Sequence, residues 1–318
     1  MINLIKRYGR VLMGLRGFMY DFNRFLRFNA WNFKCSNAKM RQYHLAKLTH
    51  TLEKSMSFKD KRAGAGYTNA KKIQEILIEV DNNNYEKNFN DFLALQTLKK
   101  FCLESKDADK KFSNIYQELP NWDDAFTDYG IYSLSKEEIN RGQLENPEDF
   151  FNSRYTLRDF SSIIISSEII DRALNLAQKT PSSCNMQPWH VYILNNRENI
   201  DIALSYQTGN KGFTNNIHNL MIITSDQLSF ISSSERYQHW IDGGLYAMSL
   251  IYAFHSLGIA TCSLNWSENP QKDIAIRKVL NINEHHSIIM MIAFGYPCEN
   301  NLVCVSPRKN IENIKTEI

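Results

Sequence analysis

Residues 153–160, SRYTLRDF, carry two arginines and a threonine at every second position. In an extended segment successive side chains point to opposite sides, so Arg154, Thr156 and Arg158 would lie together on one side. Arginine has a permanent charge and a planar fork of donors that matches the oxygens of a phosphate group. The pattern therefore predicts a clamp for a phosphate monoester.

A second informative segment, residues 181–189, reads PSSCNMQPW. It follows a predicted helix that Ser166 caps and that runs through Gln178. Its small hydroxyls and the side-chain amides of Asn185 and Gln187 could hydrogen-bond a planar heterocycle. A phosphate clamp and an amide-rich loop on one chain indicate a phosphorylated ring cofactor.

The composition is that of a globular protein, with an uneven distribution of charge. The chain has 318 residues, 43% hydrophobic and 22% charged, which suffices for two domains or one large one. Residues 1–62 hold 14 Lys+Arg against 3 Asp+Glu, a net charge of +11, whereas residues 63–150 have a net charge of −7. Six cysteines without a CxxC pair or a secretory signal predict reduced thiols in a cytoplasmic protein. The sequence has no metal-binding motif, and no apolar run approaches the ~20 residues that span a bilayer.

Residues 1–34 form a predicted basic helix. Cations such as Arg10, Arg16 and Arg24 interleave with large apolar residues such as Phe18 and Phe22. A helix of this kind can lie on an anionic membrane surface, which would make the protein peripheral at the inner face of the membrane. It can also pack its aromatic face on the rest of the protein. No motif for nucleic-acid binding accompanies the charge, so no nucleic-acid partner is predicted.

Helical patterns dominate residues 1–150, and a mixed pattern follows. The periodicity predicts early helices at 40–56, 69–80 and 85–103, strands at 189–194, 219–225 and 287–294, an apolar central helix at 242–257 and a helix at 270–280. Residues 258–265 fit a loop or a strand. The imperfect alternation of helices and strands favours an α+β sandwich over a doubly wound sheet. We therefore expect a helical N-terminal region, 1–150, basic at 1–62, and a second domain, 151–318.

Six short segments follow one another in a recognisable order along residues 150–310. They are RYTLR at 154–158, PSSCNMQPW at 181–189, DGG at 242–244, LGIATCSL at 257–264, AFGYP at 293–297 and SPRK at 306–309. In this order they resemble the FMN-dependent nitroreductase family, with Thr156 in place of the family's usual serine. The resemblance covers a whole domain. It implies a three-layer α+β sandwich that follows a mostly helical N-terminal region.

The resemblance also implies a cofactor and roles for single residues. FMN would be bound, NADH or NADPH would reduce it, and a small organic molecule would accept the electrons. The phosphate would be held by Arg154, Thr156, Arg158 and Arg308, with Lys309 as a helper. The flavin ring would lie against two sets of residues: Pro181, Ser182, Ser183, Asn185 and Gln187, and Cys262, Ser263 and Leu264. The scheme demands no catalytic acid or base and no metal.

Two further implications concern partners and pathway. Family members are obligate homodimers that share each flavin site across the interface, which would explain the apolar helix at 242–257. Residues 50–57, HTLEKSMS, resemble an element of longer nitroreductase-like proteins associated with bacterial surface-polysaccharide gene clusters, with Ser55 and Met56 replacing glycine and leucine. This resemblance implies a role in surface-polysaccharide biosynthesis. The alternative is a flavin-binding scaffold or regulator, attached to a membrane-associated biosynthetic complex and without NAD(P)H turnover.

Overall fold

A computed structural model describes residues 2–59, 64–105, 110–122 and 128–318, without the side chains of residues 2–7. The parts of the predicted N-terminal region at residues 1, 60–63, 106–109 and 123–127 lie outside these ranges. The region is helical, as predicted. Its helices are α1 (Ile2–Phe28), α2 (Ala38–Ser57), α3 (Tyr67–Asn82), α4 (Phe89–Ser105), α5 (Lys110–Gln117), α6 (Lys136–Asn140) and α7 (Pro147–Asn152).

Helices α2 to α5 enclose their own hydrophobic core, in which Leu52, Leu77 and Leu98 are fully buried. An ion pair is buried beside this core. The Arg41 guanidinium donates to both oxygens of Asp91, at 2.8 and 2.9 Å, and neither side chain is exposed. Two backbone carbonyls accept two more of its N–H groups, at 2.6 Å each. The pair therefore joins α2 to α4 at a point that water does not reach.

The second part of the chain is built on one antiparallel sheet with helices on both faces. Its elements are α8 (Ser167–Ala177), β1 (Trp189–Leu194), α9 (Arg197–Tyr206), β2 (Asn219–Asp226), α10 (Gln238–Ser256), β3 (Ala260–Asn265), α11 (Pro270–Val279) and β4 (His286–Gly295). The strand order is β1-β2-β4-β3, and each pair of neighbours is antiparallel. The central strands β2 and β4 are buried along almost their whole length.

Alternate residues of β2 supply the two faces of the sheet. Leu220 and Ile222 pack in one core with α9 and α11, whereas Met221 and Ile223 pack in the other with α8 and α10. This arrangement confirms the predicted α+β sandwich of three layers. The segment 258–265, predicted as a loop or a strand, contains the edge strand β3.

Helix α10 is the predicted central helix and begins at Gln238, four residues before the predicted start at Asp242. Its inner face carries Tyr246 and Leu250, which are buried against the sheet. Gly243 permits this close approach, since a Cβ at that position would lie 2.5 Å from the Ile289 side chain.

Replacing Gly243 with alanine is expected to destabilise the fold by about 1–3 kcal/mol, because the added methyl group overpacks the contact between helix and sheet. Gly14 on α1 is the control, since a Cβ there has open space. Gly14→Ala should be neutral or stabilising by about 0.5–1 kcal/mol, because alanine is the better helix former. Denaturant unfolding of both variants measures the difference. Equal effects would contradict the role assigned to Gly243.

Helix α2 packs on the second part of the chain through Tyr43. The tyrosine ring joins Met186 and Phe230 in a small buried cluster, and its hydroxyl donates to Asp226 at 3.1 Å. Helix α7 crosses the boundary proposed at residue 150. The expectation that residues 1–34 pack their aromatic face on the protein is wrong for Phe18 and Phe22, which are 77% and 51% exposed.

Candidate functional site

The segment after α7 runs beside β3 and brings the predicted phosphate ligands to one pocket. Thr156 forms a parallel bridge with Thr261, and the Leu157 amide donates to the Thr261 carbonyl at 3.2 Å. Leu157 is buried in the core. Because side chains alternate along an extended segment, its neighbours Thr156 and Arg158 point away from the core. A pocket of about 550 Å³ is lined by Arg154, Thr156, Arg158 and Arg308. We call it the arginine pocket.

The arginine pocket is strongly cationic. Among the described residues, no Asp or Glu lines it, and no carboxylate pairs with Arg154, Arg158 or Arg308. Arg158 contacts the Cys304 thiol at 3.3 Å. Three guanidinium groups that share a pocket repel one another, so an anion placed between them is stabilised. Lys309, predicted as a helper, does not line the pocket.

Residues 181–187, here called the amide loop, have an unusual backbone. Cys184, Asn185 and Gln187 all have positive φ values, of 50°, 54° and 47°. Residues other than glycine rarely adopt this conformation, and such outliers cluster at binding sites. The turn leaves the Asn185 and Gln187 side chains exposed, with the two amides 3.2 Å apart. The Gln187 amide donates to Asn185 Oδ1, and both side chains lie at the surface, where a ligand can reach them.

Three contacts hold the amide loop in place. The backbone N–H of Ser183 donates to the Asp242 carboxylate at the start of α10, at 3.2 Å. The backbone N–H of Gln187 donates to Ser182 Oγ at 3.0 Å. Burial raises the pKa of the Asp242 carboxyl. The side chain of Met186, which belongs to the loop, is buried. The roles of Asp242 and Met186 were not predicted, because the sequence does not reveal contacts between distant segments.

Cys262, Ser263 and Leu264 lie on β3. Cys262 and Leu264 are each 3% exposed and pack in the same core as Leu157. Burial also raises the pKa of the Cys262 thiol. Ser263, between them, is exposed. A ligand along this strand would therefore meet the Ser263 side chain and the backbone, but not the side chains of its two neighbours.

The two predicted halves of the ring and phosphate site do not meet within one chain. The arginine pocket and the cavity beside it, which Arg154 also lines, include no residue of the amide loop. The loop that begins at Pro181 contacts the start of α10 through Ser183 and Asp242, whereas Tyr252, near the end of α10, lines the arginine pocket. In one copy of the chain, the predicted phosphate ligands and the predicted ring ligands therefore lie apart.

A cavity of about 220 Å³ opens at the far end of β3. Trp266 follows the strand directly and lines the cavity with Trp240 from α10 and with Tyr20 and Arg24 from α1. The Trp266 indole donates to Asp273 at 2.8 Å. The sequence did not predict this cavity, since its walls come from α1, α10 and the region around α11, which are far apart along the chain.

A buried polar cluster lies where α2 meets the sheet. Asp226, His285 and His286 offer ligand atoms within 4.8 Å of one another, as a metal site would. However, these side chains already form hydrogen bonds within the protein. The Asp226 carboxylate accepts from His285 Nδ1 at 2.7 Å and from Tyr43, and His286 Nδ1 contacts the Tyr192 hydroxyl at 2.9 Å. Burial lowers the pKa of His286 to about 3. The cluster therefore acts as a hydrogen-bonded contact between α2 and the sheet.

Part of the chain matches a known protein family. Residues 152–296 match the sequence model of the Nitroreductase family. We call this part of the chain the nitroreductase domain, after the family model that it matches. Its first residue lies in α7, and its last follows β4. The domain therefore includes Arg154 and Arg158, the amide loop and the whole sheet, whereas Arg308 and Lys309 lie beyond it.

Individual relatives match the nitroreductase domain at low identity. A protein of Archaeoglobus fulgidus, provisionally named an NADH dehydrogenase/NAD(P)H nitroreductase, is 26% identical over 146 residues, which are 46% of this chain and 82% of that protein. A 4-nitrobenzoate reductase of a Nocardioides species is 21% identical over 218 residues, covering 52% of this chain and 87% of the relative. A crystal structure of a provisionally named nitroreductase with FMN, from Desulfovibrio desulfuricans, has a TM-score of 0.47 at 19% identity. It covers 55% of this chain and 98% of that one.

Proposed function

We propose that the protein is an FMN-dependent oxidoreductase that uses NADH or NADPH to reduce a small organic acceptor. The observation that carries this proposal is the arginine pocket on a nitroreductase domain. Its cations have no carboxylate partner among the described residues, and Thr156 adds a hydroxyl donor. These groups fit a phosphate monoester. The names of the relatives, which include NAD(P)H nitroreductases and a structure with FMN, support the same cofactor and donor.

The proposed roles follow from where each side chain lies. Arg154, Thr156, Arg158 and Arg308 hold the phosphate, and Lys309 adds positive charge nearby. The ring is met by the backbone of Pro181–Ser183, by the amides of Asn185 and Gln187, and by the backbone of Cys262–Leu264 with the Ser263 hydroxyl. The bound flavin supplies the transfer of electrons between the nicotinamide and the acceptor, and the protein orients all three.

A homodimer is part of the proposal, because one chain keeps the arginine pocket apart from the amide loop. The outer face of α10 would form the contact. It exposes a run of large apolar residues: Trp240, Ile241, Leu245 and Met248. A surface of this kind is typical of an interface between subunits.

Leu245→Glu is expected to convert the dimer into a monomer that has lost most of its FMN, because it buries a charge in the apolar interface. Ile274→Glu is the matched control, since Ile274 on α11 is 43% exposed and Leu245 is 44% exposed. Light scattering gives the mass of each variant. A wild-type protein that is monomeric and still binds FMN would contradict the shared site.

We place the acceptor in the cavity at the end of β3. β3 starts beside residues 154–158 and ends at Asn265, directly before Trp266. A cofactor held along this edge would therefore extend toward the cavity. Trp240 and Trp266 offer flat apolar surfaces, and the volume of about 220 Å³ suits a small molecule. Replacing Trp266 with alanine should raise KM for the acceptor more than it changes the affinity for FMN.

The first test is the spectrum of the purified protein. It should show bound flavin, release FMN on denaturation, and lose the flavin absorbance when NADPH or NADH is added without oxygen. Return of the absorbance with oxygen alone would identify an oxidase. A protein that binds FMN but is not reduced by either nicotinamide would favour the alternative, a flavin-binding scaffold or regulator on a membrane-associated complex. A colourless protein that takes up no FMN would exclude both functions.

The cellular setting is also a proposal. All six cysteines are free thiols, which suits the cytoplasm. A role in surface-polysaccharide biosynthesis depends on the similarity of residues 50–57, at the end of α2, to the corresponding element of other proteins. Contact of residues 1–34 with the inner face of a membrane is separate, because it depends on α1 and not on the flavin site.

A further inference from the structure

Helix α1 attaches to the nitroreductase domain through polar side chains. The Tyr20 hydroxyl donates to the Asp273 carboxylate at 2.5 Å, and Arg24 donates to the His286 carbonyl at 3.0 Å. Arg27, three residues after Arg24, forms an ion pair with Glu284 of the domain, at 2.8 Å. Residues three and four apart lie on the same side of a helix. The face of α1 that holds the helix in place is therefore its polar face.

The opposite face of α1 carries an apolar stripe that the described residues leave largely uncovered. Its side chains recur every three or four residues and are each at least 49% exposed: Tyr8, Val11, Leu12, Leu15, Phe18, Met19, Phe22 and Leu26. A helix on the surface of a globular protein normally turns its apolar stripe toward the core. Helix α1 does the reverse. Contiguous exposed apolar side chains of this extent mark an interaction surface.

The charges of α1 favour an anionic partner for this apolar stripe. The helix has six Lys and Arg residues and one acidic residue, Asp21. Arg10 and Arg16 are exposed. Two copies of α1 packed stripe to stripe would bring these cations together, and like charges at close range repel. A bilayer with anionic headgroups offers apolar depth for the stripe and negative charge for the arginines.

We propose that α1 lies in the surface of a bilayer containing anionic phospholipid, with the apolar stripe inserted among the acyl chains and the arginines at the level of the headgroups. The inference deepens the peripheral contact proposed above, and it does not depend on flavin binding. The polar face of α1 then connects the membrane surface to the nitroreductase domain through Tyr20 and Arg24. None of the described helices combines the length and the apolar content that crossing a bilayer requires.

The test compares two substitutions that change the charge equally. Leu15→Glu places a carboxylate in the middle of the apolar stripe. Met13→Glu is the control, because Met13 is also exposed, at 67%, but lies two residues away and points away from the stripe. Full-length protein is floated with phosphatidylcholine vesicles that contain or lack phosphatidylglycerol. We expect wild-type protein and Met13→Glu to float with the anionic vesicles, and Leu15→Glu to bind roughly tenfold more weakly or not at all. Added salt should weaken binding.

Three results would overturn the proposal. The first is a wild-type protein that does not float with anionic vesicles. The second is equal binding with and without phosphatidylglycerol, which would remove the role of the arginines. The third is a Leu15→Glu variant that floats normally but loses a subunit by light scattering, since a second copy would then cover the stripe. FMN content is measured on the same samples, so a failure of flavin binding is seen separately.

Discussion

A variant with both Arg154→Ala and Arg158→Ala is expected to fold normally and to contain no bound FMN. Both guanidinium groups line the arginine pocket, and neither forms an ion pair with a described carboxylate, so neither is needed to neutralise one. A hydrogen bond to a charged group contributes about 1.5–3 kcal/mol. Loss of two such contacts predicts binding weaker by a factor of roughly 100 or more. A titration with FMN, followed by flavin fluorescence, measures the change.

The control for this experiment removes the same charge elsewhere on the domain. Arg172 and Lys179 are exposed and lie outside the arginine pocket. A variant with both replaced by alanine should keep its FMN and its reduction by NAD(P)H. Circular dichroism would confirm that both double variants are folded. Full retention of FMN by the Arg154 and Arg158 variant would show that the phosphate is held elsewhere.

Among the variants described here, one that breaks the buried ion pair between Arg41 and Asp91 should lower the free energy of unfolding the most. Both side chains are fully buried, so removing one leaves the other charged without a partner or water. Such a loss typically costs about 3–5 kcal/mol. Asp91→Asn is therefore expected to lower the free energy of unfolding by that amount. Urea unfolding, followed by circular dichroism, measures it.

Two further variants test whether the loss comes from the unpaired charge. Replacing both residues with apolar ones, as Arg41→Met with Asp91→Leu, should be less damaging than Asp91→Asn alone, because no charge is then left buried. The exposed pair of Arg27 and Glu284, with side chains 68% and 66% exposed, is the second comparison. Glu284→Gln should cost less than about 1 kcal/mol. A similar cost for Glu284→Gln and Asp91→Asn would refute the argument.

The regular elements of the nitroreductase domain were predictable, because their patterns are local. The strand Trp189–Leu194 has the predicted bounds, and the strand at 219–226 extends one residue beyond its prediction. The buried strand at 286–295 is longer by a residue at each end. Burial on both faces gives a strand a continuous apolar run, which sequence shows directly. Boundaries depend on side-chain caps and bulges, so they are less certain.

Contacts between distant segments were predictable only where the family resemblance supplied them. It placed Arg308 with Arg154, and both line the arginine pocket. Nothing in the sequence distinguished Arg41 and Asp91 from ordinary surface charges, since they lie fifty residues apart on separate helices. The positive φ values of the amide loop were missed for a similar reason. Cys184 and Gln187 are not residues that typically signal such a turn.

The open edge of the sheet at β3 has a consequence for how a newly made chain behaves. β3 is an edge strand, and its outer side carries one bridge, from Thr156 to Thr261. β4 pairs with the inner side of Cys262–Leu264, and beyond the bridge no described strand pairs with their outer side. Open backbone groups on an edge can pair with a strand from another molecule. If FMN binds along this strand as proposed, it covers part of the open edge, and supply of FMN during synthesis should raise the yield of soluble protein.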